Sequence, residues 1–519
     1  MIITDSKNVL FENCTLKDTG EFSLINISSS SEVTFSRCTI QNNWTDSEYS
    51  PYLFSIDSIS SNISLENSII RDNRTGKFLN NQNKLRLLNN QFIGNAFDEE
   101  VTTFEEGLKI VWHRKIGVQS WRNNALIVGS YLFIGSSGQK WNEPDMADGI
   151  YAFDIKTGKQ IWFVHSQNDF NDLAYMEGLI IGGSDAGEVF AVSAMSGKVK
   201  WQQKLDAKVY AKPAYLDAGV AVATGKGKLF LLNLNDGKVI DQVQLDGGVR
   251  AGMTAKGTNL WIATESGWVY QLTAFGTFNS WTKIKVFYPD SFGRQLNESE
   301  LPTGTMKYSY LGKEVGFSEA RFYAAPLILD DKIILGFVRD TYYSYPAVVA
   351  ISSQHSGTKI AWFGSDDSQK LGDTFGNIRF TPSEYKDLLI FGNPYSNKAY
   401  ALSKQDGTLV WETSLGQPMF QHWPSPVVHG DYVYIARHDG YLHKLRAKDG
   451  KRMWSIFLGD SESAGLIFRS EQDLPGENLR TQWSPLRASP IFATPAVSGK
   501  YIVIGTGEGD LYVIEQSSE

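Results

Sequence analysis

The run Gly149-Ile-Tyr-Ala-Phe-Asp-Ile-Lys-Thr-Gly-Lys-Gln-Ile-Trp162 constrains the fold more than any other feature of this chain, because the chain repeats it. Taken alone it is a short alternating strand, a Thr-Gly turn and a second strand closed by a Trp. Equivalent phrases run from Gly187 to Trp201, Gly227 to Asp241, Gly267 to Trp281, Asn397 to Trp411 and Gly440 to Trp454, and a longer version ends at Trp362. A period of about 40 residues built from short strands selects a propeller or a solenoid over a fold with one central core.

Before each phrase stands a hairpin, clearest in Pro326-Leu-Ile-Leu-Asp-Asp-Lys-Ile-Ile-Leu-Gly336 and Pro495-Ala-Val-Ser-Gly-Lys-Tyr-Ile-Val-Ile-Gly505. Apolar residues alternate on both sides of the turn, as strands require. Hairpin plus phrase makes a four-stranded blade. Third strands fall near Ile150, Val189, Leu229, Val269, Val348, Ala399, Leu442 and Leu511, which is eight, but only seven fourth strands follow them. Lys109-Ile-Val-Trp-His-Arg-Lys-Ile116 reads as a fourth strand with no blade before it, so it is expected to complete the last blade. Such closure removes a free sheet edge.

The spacing inside the phrase is physical. Gly sits four residues before the Trp at Gly158, Gly197, Gly407 and Gly450, supplying positive φ for the turn. Trp112, Trp162, Trp201, Trp281, Trp362, Trp411 and Trp454 are expected to wedge between neighbouring blades, each indole N–H reaching a backbone carbonyl. Asp241 breaks that ring and predicts looser packing between the third and fourth blades.

Residues 1–95 follow another rule. Val9-Leu-Phe-Glu-Asn-Cys-Thr-Leu16, Val33-Thr-Phe-Ser-Arg-Cys-Thr-Ile40, Ile63-Ser-Leu-Glu-Asn-Ser-Ile-Ile70 and Leu85-Arg-Leu-Leu-Asn-Asn-Gln-Phe92 align on Phe11, Phe35, Leu65 and Leu87, at steps of 24, 30 and 22 residues. Between them lie second short strands such as Phe22 to Ile27 and Tyr52 to Ile56. Asn at the turns suits corners in the αL region. The segment resembles the last four rungs of a right-handed parallel β-helix of the pectin-lyase-like type, whose uncapped first rung is expected to be covered either by further chain upstream or by a partner. Cys14 and Cys38 hold equivalent places in successive rungs and read as stacked inward thiols, with a disulfide as the alternative. Charges here are sparse and out of register, so no carboxylate pair for polysaccharide cleavage is assembled. Asn-x-Ser/Thr sequons occur at Asn13, Asn26, Asn43, Asn62, Asn73 and Asn297. The acidic stretch 96–108 reads as a linker, and 109–519 as the propeller.

Composition excludes several functions. Net charge is −8 with Lys and Arg scattered, which argues against nucleic acid. No apolar run approaches the length of a membrane span. The first residues carry no signal-peptide pattern. The glycine-rich Gly505-Thr-Gly-Glu-Gly509 sits between strands with no helix after it, so it is not a phosphate loop. The seven His show no paired metal-ligand spacing, and Asp366-Asp367 with Asp373 lacks the alternation of a calcium loop.

The Tyr-Ala-Phe-Asp-Ile-Lys-Thr-Gly-Lys-Gln-Ile-Trp phrase resembles the repeat of the pyrroloquinoline-quinone-type propeller superfamily, over residues 109–519. The expected fold is therefore all-β, a short parallel β-helix followed by an eight-bladed propeller. The resemblance implies one of two branches. Quinoprotein dehydrogenases hold a quinone and Ca²⁺, and many carry a vicinal disulfide. This propeller has no Cys and no assignable Ca²⁺ ligand set. The cofactor-free scaffold group, typified by the lipoprotein of outer-membrane assembly, fits better. No catalytic, cofactor-binding or metal residues are assigned.

The expected function is a non-catalytic binding or scaffold module for a protein or glycan, in a surface, secreted or periplasmic protein. The alternatives are a quinone-dependent oxidoreductase and a carbohydrate-active β-helix with an accessory propeller. The segments leading into each first strand should line the central channel. They offer Trp121, Arg122, Lys212, Arg250, Phe322, Tyr323, Arg379, His422, Trp423 and Arg487 either as a plug of the channel or as a candidate binding rim, where aromatic and Arg side chains converge as at protein interfaces. Two insertions, Phe287 to Arg321 and Leu458 to Gln482, are expected to cover one channel mouth.

Overall fold

The structure is a computed structural model. It describes residues 1–17, 25–41, 52–71, 77–79, 85–88, 91–93, 108–250, 252–290, 294–297, 299–300, 309–310, 313–314, 316–338, 348–352, 359–364, 378–393, 398–415, 424–438, 440–458, 466–468 and 490–516. Among these the regular elements are all strands.

The N-terminal strands form three parallel four-stranded sheets. One of them pairs Phe11 with Phe35, Phe35 with Leu65 and Leu65 with Leu87, the register read from the repeat. These side chains and Ile25, Val33, Leu53, Phe54 and Ile63 fill one apolar interior. Positive φ recurs at equivalent places in successive rungs, at Asn8, Glu32 and Asn62, at Asn13, Arg37 and Asn67, and at Asp5 and Ser29. The corner at Asp5 and Ser29 is also held by hydroxyls. Ser30 Oγ accepts from Ser6 N at 3.2 Å, and Ser60 Oγ from Ser30 N at 3.1 Å. Both cysteines are free thiols; Cys38 is buried and its Sγ lies 3.4 Å from the Phe11 carbonyl. Burial raises its pKa.

Eight sheets follow, each a blade of four antiparallel strands, with a fifth strand on the seventh. Blades 1 to 7 span residues 126–165, 170–204, 214–244, 254–285, 327–363, 383–414 and 427–468. Blade 8 takes its inner three strands from 496–516 and its outer strand from Leu108–Lys115, which pairs antiparallel with Asp510–Gln516. The propeller has no single core. Eight apolar layers lie between adjacent sheets instead, for example Ala174, Ile181, Val189 and Trp201 of blade 2 against Val220, Val222 and Phe230 of blade 3.

The Trp–Gly phrase joins these layers. Trp112 Nε1 donates to Ile155 O of the next blade at 2.8 Å, Trp162 to Ala194 O at 3.0 Å, Trp201 to Leu234 O at 2.8 Å and Trp411 to Ala447 O at 3.1 Å. Each ring rests on the turn glycine beside that carbonyl. A Cβ would fall 2.6 Å from the Trp112 ring at Gly158, 2.7 Å from Trp162 at Gly197, and 2.5 Å from Trp201 at Gly237. Trp362 also rests on Gly407, but, against expectation, its Nε1 reaches no hydrogen-bond partner among the described residues. Trp454 is buried without such a turn, because the two outer strands of blade 8 come from distant parts of the chain.

Blade 4 departs from the expected wedge. In blade 1 Trp162 pairs with Ala152, and the bulge follows at once. In blade 4 the bulge moves outward, past Thr273, and Trp281 pairs with Leu272 rather than Gln271. A one-residue slip turns a side chain to the opposite face. Trp281 is accordingly 50% exposed, and Trp261, from the second strand, fills the layer towards blade 5. At the junction of blades 3 and 4, Asp241 Oδ2 accepts from Phe278 N at 2.9 Å, a hydrogen bond where other blades have an indole.

The insertions appear only in part. Phe287–Asp290 pairs with Gly316–Glu319, and Leu466–Phe468 adds the fifth strand of blade 7. Ser309–Tyr310 pairs with Lys313–Glu314, and most of the rest, on which the expected cover of the channel falls, lies outside the described residues.

Candidate functional site

Each blade's first strand lies innermost, and the segment leading into it faces the axis. At one equivalent place stand Asn124, Asp172, Lys212, Gly252, Ala325, Thr381, Ser425 and Thr494, one from each blade, and all of them line a single cavity of about 350 Å³. In five blades this residue immediately precedes a proline, which holds it extended.

The inner ring is stitched together by side chains. Thr381 N donates to Ser425 Oγ at 3.1 Å, Ser425 N to Thr494 Oγ1 at 3.0 Å, Thr494 N to Asn124 Oδ1 at 2.6 Å, and Asn124 N to Asp172 Oδ1 at 2.8 Å. Thr381 Oγ1 also donates back to Ala325 O at 2.8 Å. This girdle runs from blade 5 through 6, 7, 8 and 1 to blade 2. It stops at Lys212, Gly252 and Ala325, whose side chains carry no oxygen.

Two residues earlier in the segments stand Arg122, Phe170, Tyr210, Arg250, Tyr323, Arg379 and Phe492; Phe170 is buried in the layer between blades 1 and 2, while Tyr210, Arg250, Tyr323 and Arg379 line the cavity. The Arg122 Cζ lies 4.7 Å from the Tyr210 ring centroid, the Arg250 Cζ 5.0 Å from the same ring, and the Arg379 Cζ 5.2 Å from Tyr323. Arg250 Nε also donates to Glu265 Oε2 at 2.8 Å.

Of the rim residues named from sequence, Trp121, Lys212, Arg250, Tyr323 and Arg379 line the cavity together. Phe322 does not: it is fully buried in the layer between blades 4 and 5. Strand alternation explains this, since Phe322 takes the place held by the buried Val209, Val249, Ile378 and Ile491. Arg122 is buried too. Its Nη1 meets Asp185 Oδ1 at 2.8 Å and its Nη2 lies 3.9 Å from Asp169, while Lys208 Nζ holds the other Asp185 oxygen at 2.9 Å. It anchors the rim rather than presenting itself to a ligand. His422, Trp423 and Arg487 lie outside the described residues. Tyr210, Asn124 and Asp172 belong to the site and are found by aligning the segments on their prolines.

Three carboxyls are pushed up by desolvation: Asp172 at the channel, Asp148 and Asp169. Desolvation raises Asp172 to about 6, against the opposing hydrogen bonds from Asn124 and the charge of Lys212. Asp148, buried beside Asp169, Asp145 and Asp185, is raised to about 7, first by desolvation and then by those charges. Among the described residues no group of three or more His, Cys, Asp or Glu could hold a metal ion, and both cysteines lie in the parallel-strand region. The residues described therefore do not fit the calcium and quinone set of the dehydrogenase branch. No helix among them is long and apolar enough to cross a membrane.

Comparison with known proteins agrees with this architecture. A family profile described as outer membrane protein assembly factor BamB matches residues 146–270 and 347–518, and one described as right handed beta helix region matches residues 1–125. BamB of Burkholderia pseudomallei strain K96243 is 27% identical over 112 residues, 20% of this chain and 29% of that protein. BamB of Salmonella typhimurium strain LT2 is 29% identical over 112 residues, 21% of this chain and 24% of that protein. The chain thus spans less than a third of the length of these curated relatives. Among solved structures, BamB from Moraxella catarrhalis superposes with a TM-score of 0.54 at 13% identity, covering 79% of this chain and 99% of that one. The quinohemoprotein alcohol dehydrogenase from Comamonas testosteroni reaches 0.50 at 12% identity, covering 80% and 77%. At such identities both comparisons speak to the fold alone. With more than half of its residues matched by that profile, and with eight blades joined by the Trp–Gly phrase, the chain belongs to the family described as outer membrane protein assembly factor BamB, with a right-handed β-helix region ahead of its propeller.

Proposed function

We propose that this chain is a binding module that captures a protein partner at the rim of its central channel, in the cell envelope or at the cell surface. One observation carries the reading: all eight blades bring a residue to one cavity, beside a row in which Tyr210, Arg250, Tyr323 and Arg379 alternate aromatic with guanidinium. Such side chains combine large contact area with directional polar ends and dominate the energetics of many protein interfaces. A protein suits the rim better than a glycan, because guanidinium groups occupy the aromatic faces on which a sugar ring would stack. The family's name, taken from an outer-membrane assembly factor, points to the same compartment and kind of partner.

The test is selection of binders to the immobilised full chain from a random peptide display library, with a glycan array run in parallel. Selected peptides should lose at least about tenfold in affinity, about 1.4 kcal/mol, for a Tyr323→Ala/Arg250→Ala variant whose melting temperature is unchanged. If no peptide is selected, or if those selected bind the variant equally well, the channel is a plugged axis and the reading fails.

A further inference from the structure

The channel is unequal around its axis. From blade 5 round to blade 2, the inner ring is closed by its own hydrogen bonds, and both Asp172 oxygens are engaged there, by Asn124 N at 2.8 Å and Asn124 Nδ2 at 2.9 Å. Blades 3 and 4 bring no such acceptor. They bring Lys212, exposed, with no hydrogen-bond or ion-pair partner for its ammonium among the described residues. Beside it stand Tyr210 and Arg250. No partner for the Tyr210 hydroxyl or for the Arg250 Nη groups occurs among the described residues. Across the cavity are Tyr323 and Arg379.

Among the described residues, the Lys212 ammonium and the Arg250 Nη groups on this side of the channel are donors with no acceptor. Among the described residues three cations and one carboxylate line the cavity, in a chain whose net charge is −8. A local excess of positive charge against an acidic background concentrates anions by focusing the field in a cleft. With the guanidinium planes laid against Tyr210 and Tyr323, what faces a ligand is N–H and O–H rather than open aromatic surface. Arginine in that setting reads carboxylates in pairs of parallel hydrogen bonds.

Resting on the binding-module reading above, we propose that the ligand of this channel is an acidic, extended polypeptide segment, whose carboxylates are received by Lys212, Arg250 and Arg379 on the side of blades 3 to 6. The segment supplies there the acceptors that the girdle lacks. Binding weakens with salt, because the cations act partly through unscreened charge.

The experiment is fluorescence anisotropy on the full chain. The probes are a short fluorescein-labelled oligo-glutamate peptide, its glutamine counterpart, and labelled oligogalacturonate as an anionic glycan. The glutamate peptide should bind, and the glutamine peptide should bind at least about tenfold more weakly. Lys212→Gln alone should weaken the glutamate peptide several-fold. Lys212 makes no hydrogen bond or ion pair among the described residues and acts on Asp172 through its charge alone, so this variant keeps the test valid even if Arg250→Gln/Arg379→Gln fails to fold. The proposal is overturned if only oligogalacturonate binds, if the two peptides bind equally, or if Lys212→Gln changes nothing. Display-selected peptides that are not acidic yet still depend on Tyr323 and Arg250 would overturn this inference and leave the binding-module reading standing.

Discussion

Trp411 of blade 6 rests so closely on Gly450 of blade 7 that a Cβ at Gly450 would fall 2.5 Å from ring atom Cε3 and 2.4 Å from Thr413 Oγ1. Gly450 also has φ +72°, which L side chains rarely adopt. Trp411→Ala removes the wedge and should cost roughly 3–5 kcal/mol in chemical denaturation. Gly450→Ala should destabilise as well, through overpacking worth about 1–3 kcal/mol plus the backbone strain. Trp281, half exposed on the other face of its strand, gives the contrast: Trp281→Ala should change stability by less than about 1 kcal/mol. Equal losses for Trp411→Ala and Trp281→Ala would refute the slipped register of blade 4.

Ring closure makes the second prediction. Leu108–Lys115 is the outer strand of blade 8, and its Trp112 ties that blade to blade 1 through Ile155 O. Deleting 108–115 leaves Asp510–Gln516 as an uncovered edge, ready to pair with other chains. Light scattering should then show aggregation at concentrations where the full chain stays dispersed. A deletion that melts cooperatively as a monomer would contradict this.

Arg122 and Lys212 both come from channel segments, yet they should behave oppositely. Arg122→Ala leaves Asp169 and part of Asp185 buried without their counter-charge, a loss of roughly 3–5 kcal/mol. Lys212→Ala removes an exposed cation and should stay within about 0.5 kcal/mol of the parent. Paired urea titrations of the two variants decide it.

Asp148 sets a pH dependence. Its carboxyl titrates at about 7 in the folded chain, pushed up by burial and then by Asp169, Asp145 and Asp185. An unfolded Asp titrates near ~3.9. Between those values the folded chain holds a proton that the unfolded chain has released, so stability falls as pH rises through this window and levels off above it. Asp172, at about 6, adds a slope of the same sign over a narrower range. Asp148→Asn should flatten much of the slope and raise stability at pH above the window by on the order of 1–3 kcal/mol. Melting curves across this range would show the slope unchanged if the charge of Asp148 were irrelevant.

Much of the architecture was legible in the sequence because it rests on repetition. The phrase around Trp162 recurs with its turn glycine, and the rungs around Phe11, Phe35, Leu65 and Leu87 pair in the register that their alignment predicts. Trp281 misled because its sequence distance from Tyr270 equals that from Tyr151 to Trp162, while the bulge that sets its face lies elsewhere. Phe322 misled because an aromatic next to the channel was judged by type rather than by strand parity. Tyr210, Thr381, Ser425 and Thr494 were passed over although the prolines mark their places; single hydroxyls carry meaning only once their neighbours in other blades are known.

The girdle also bears on how such a ring can change over generations. Each of its members serves the neighbour on one side and is served by the neighbour on the other, as Thr494 does between Ser425 and Asn124. A blade lost within that run would leave a backbone donor on one flank and a side-chain acceptor on the other, so any blade placed there must bring an oxygen at the same position. Blades 3 and 4, joined at the axis by neither Lys212 nor Gly252, are exempt. There the ring can lengthen, shorten or take on a new lining one blade at a time, and the slipped Trp281 and the substitution of Asp241 for an indole sit in those same two blades.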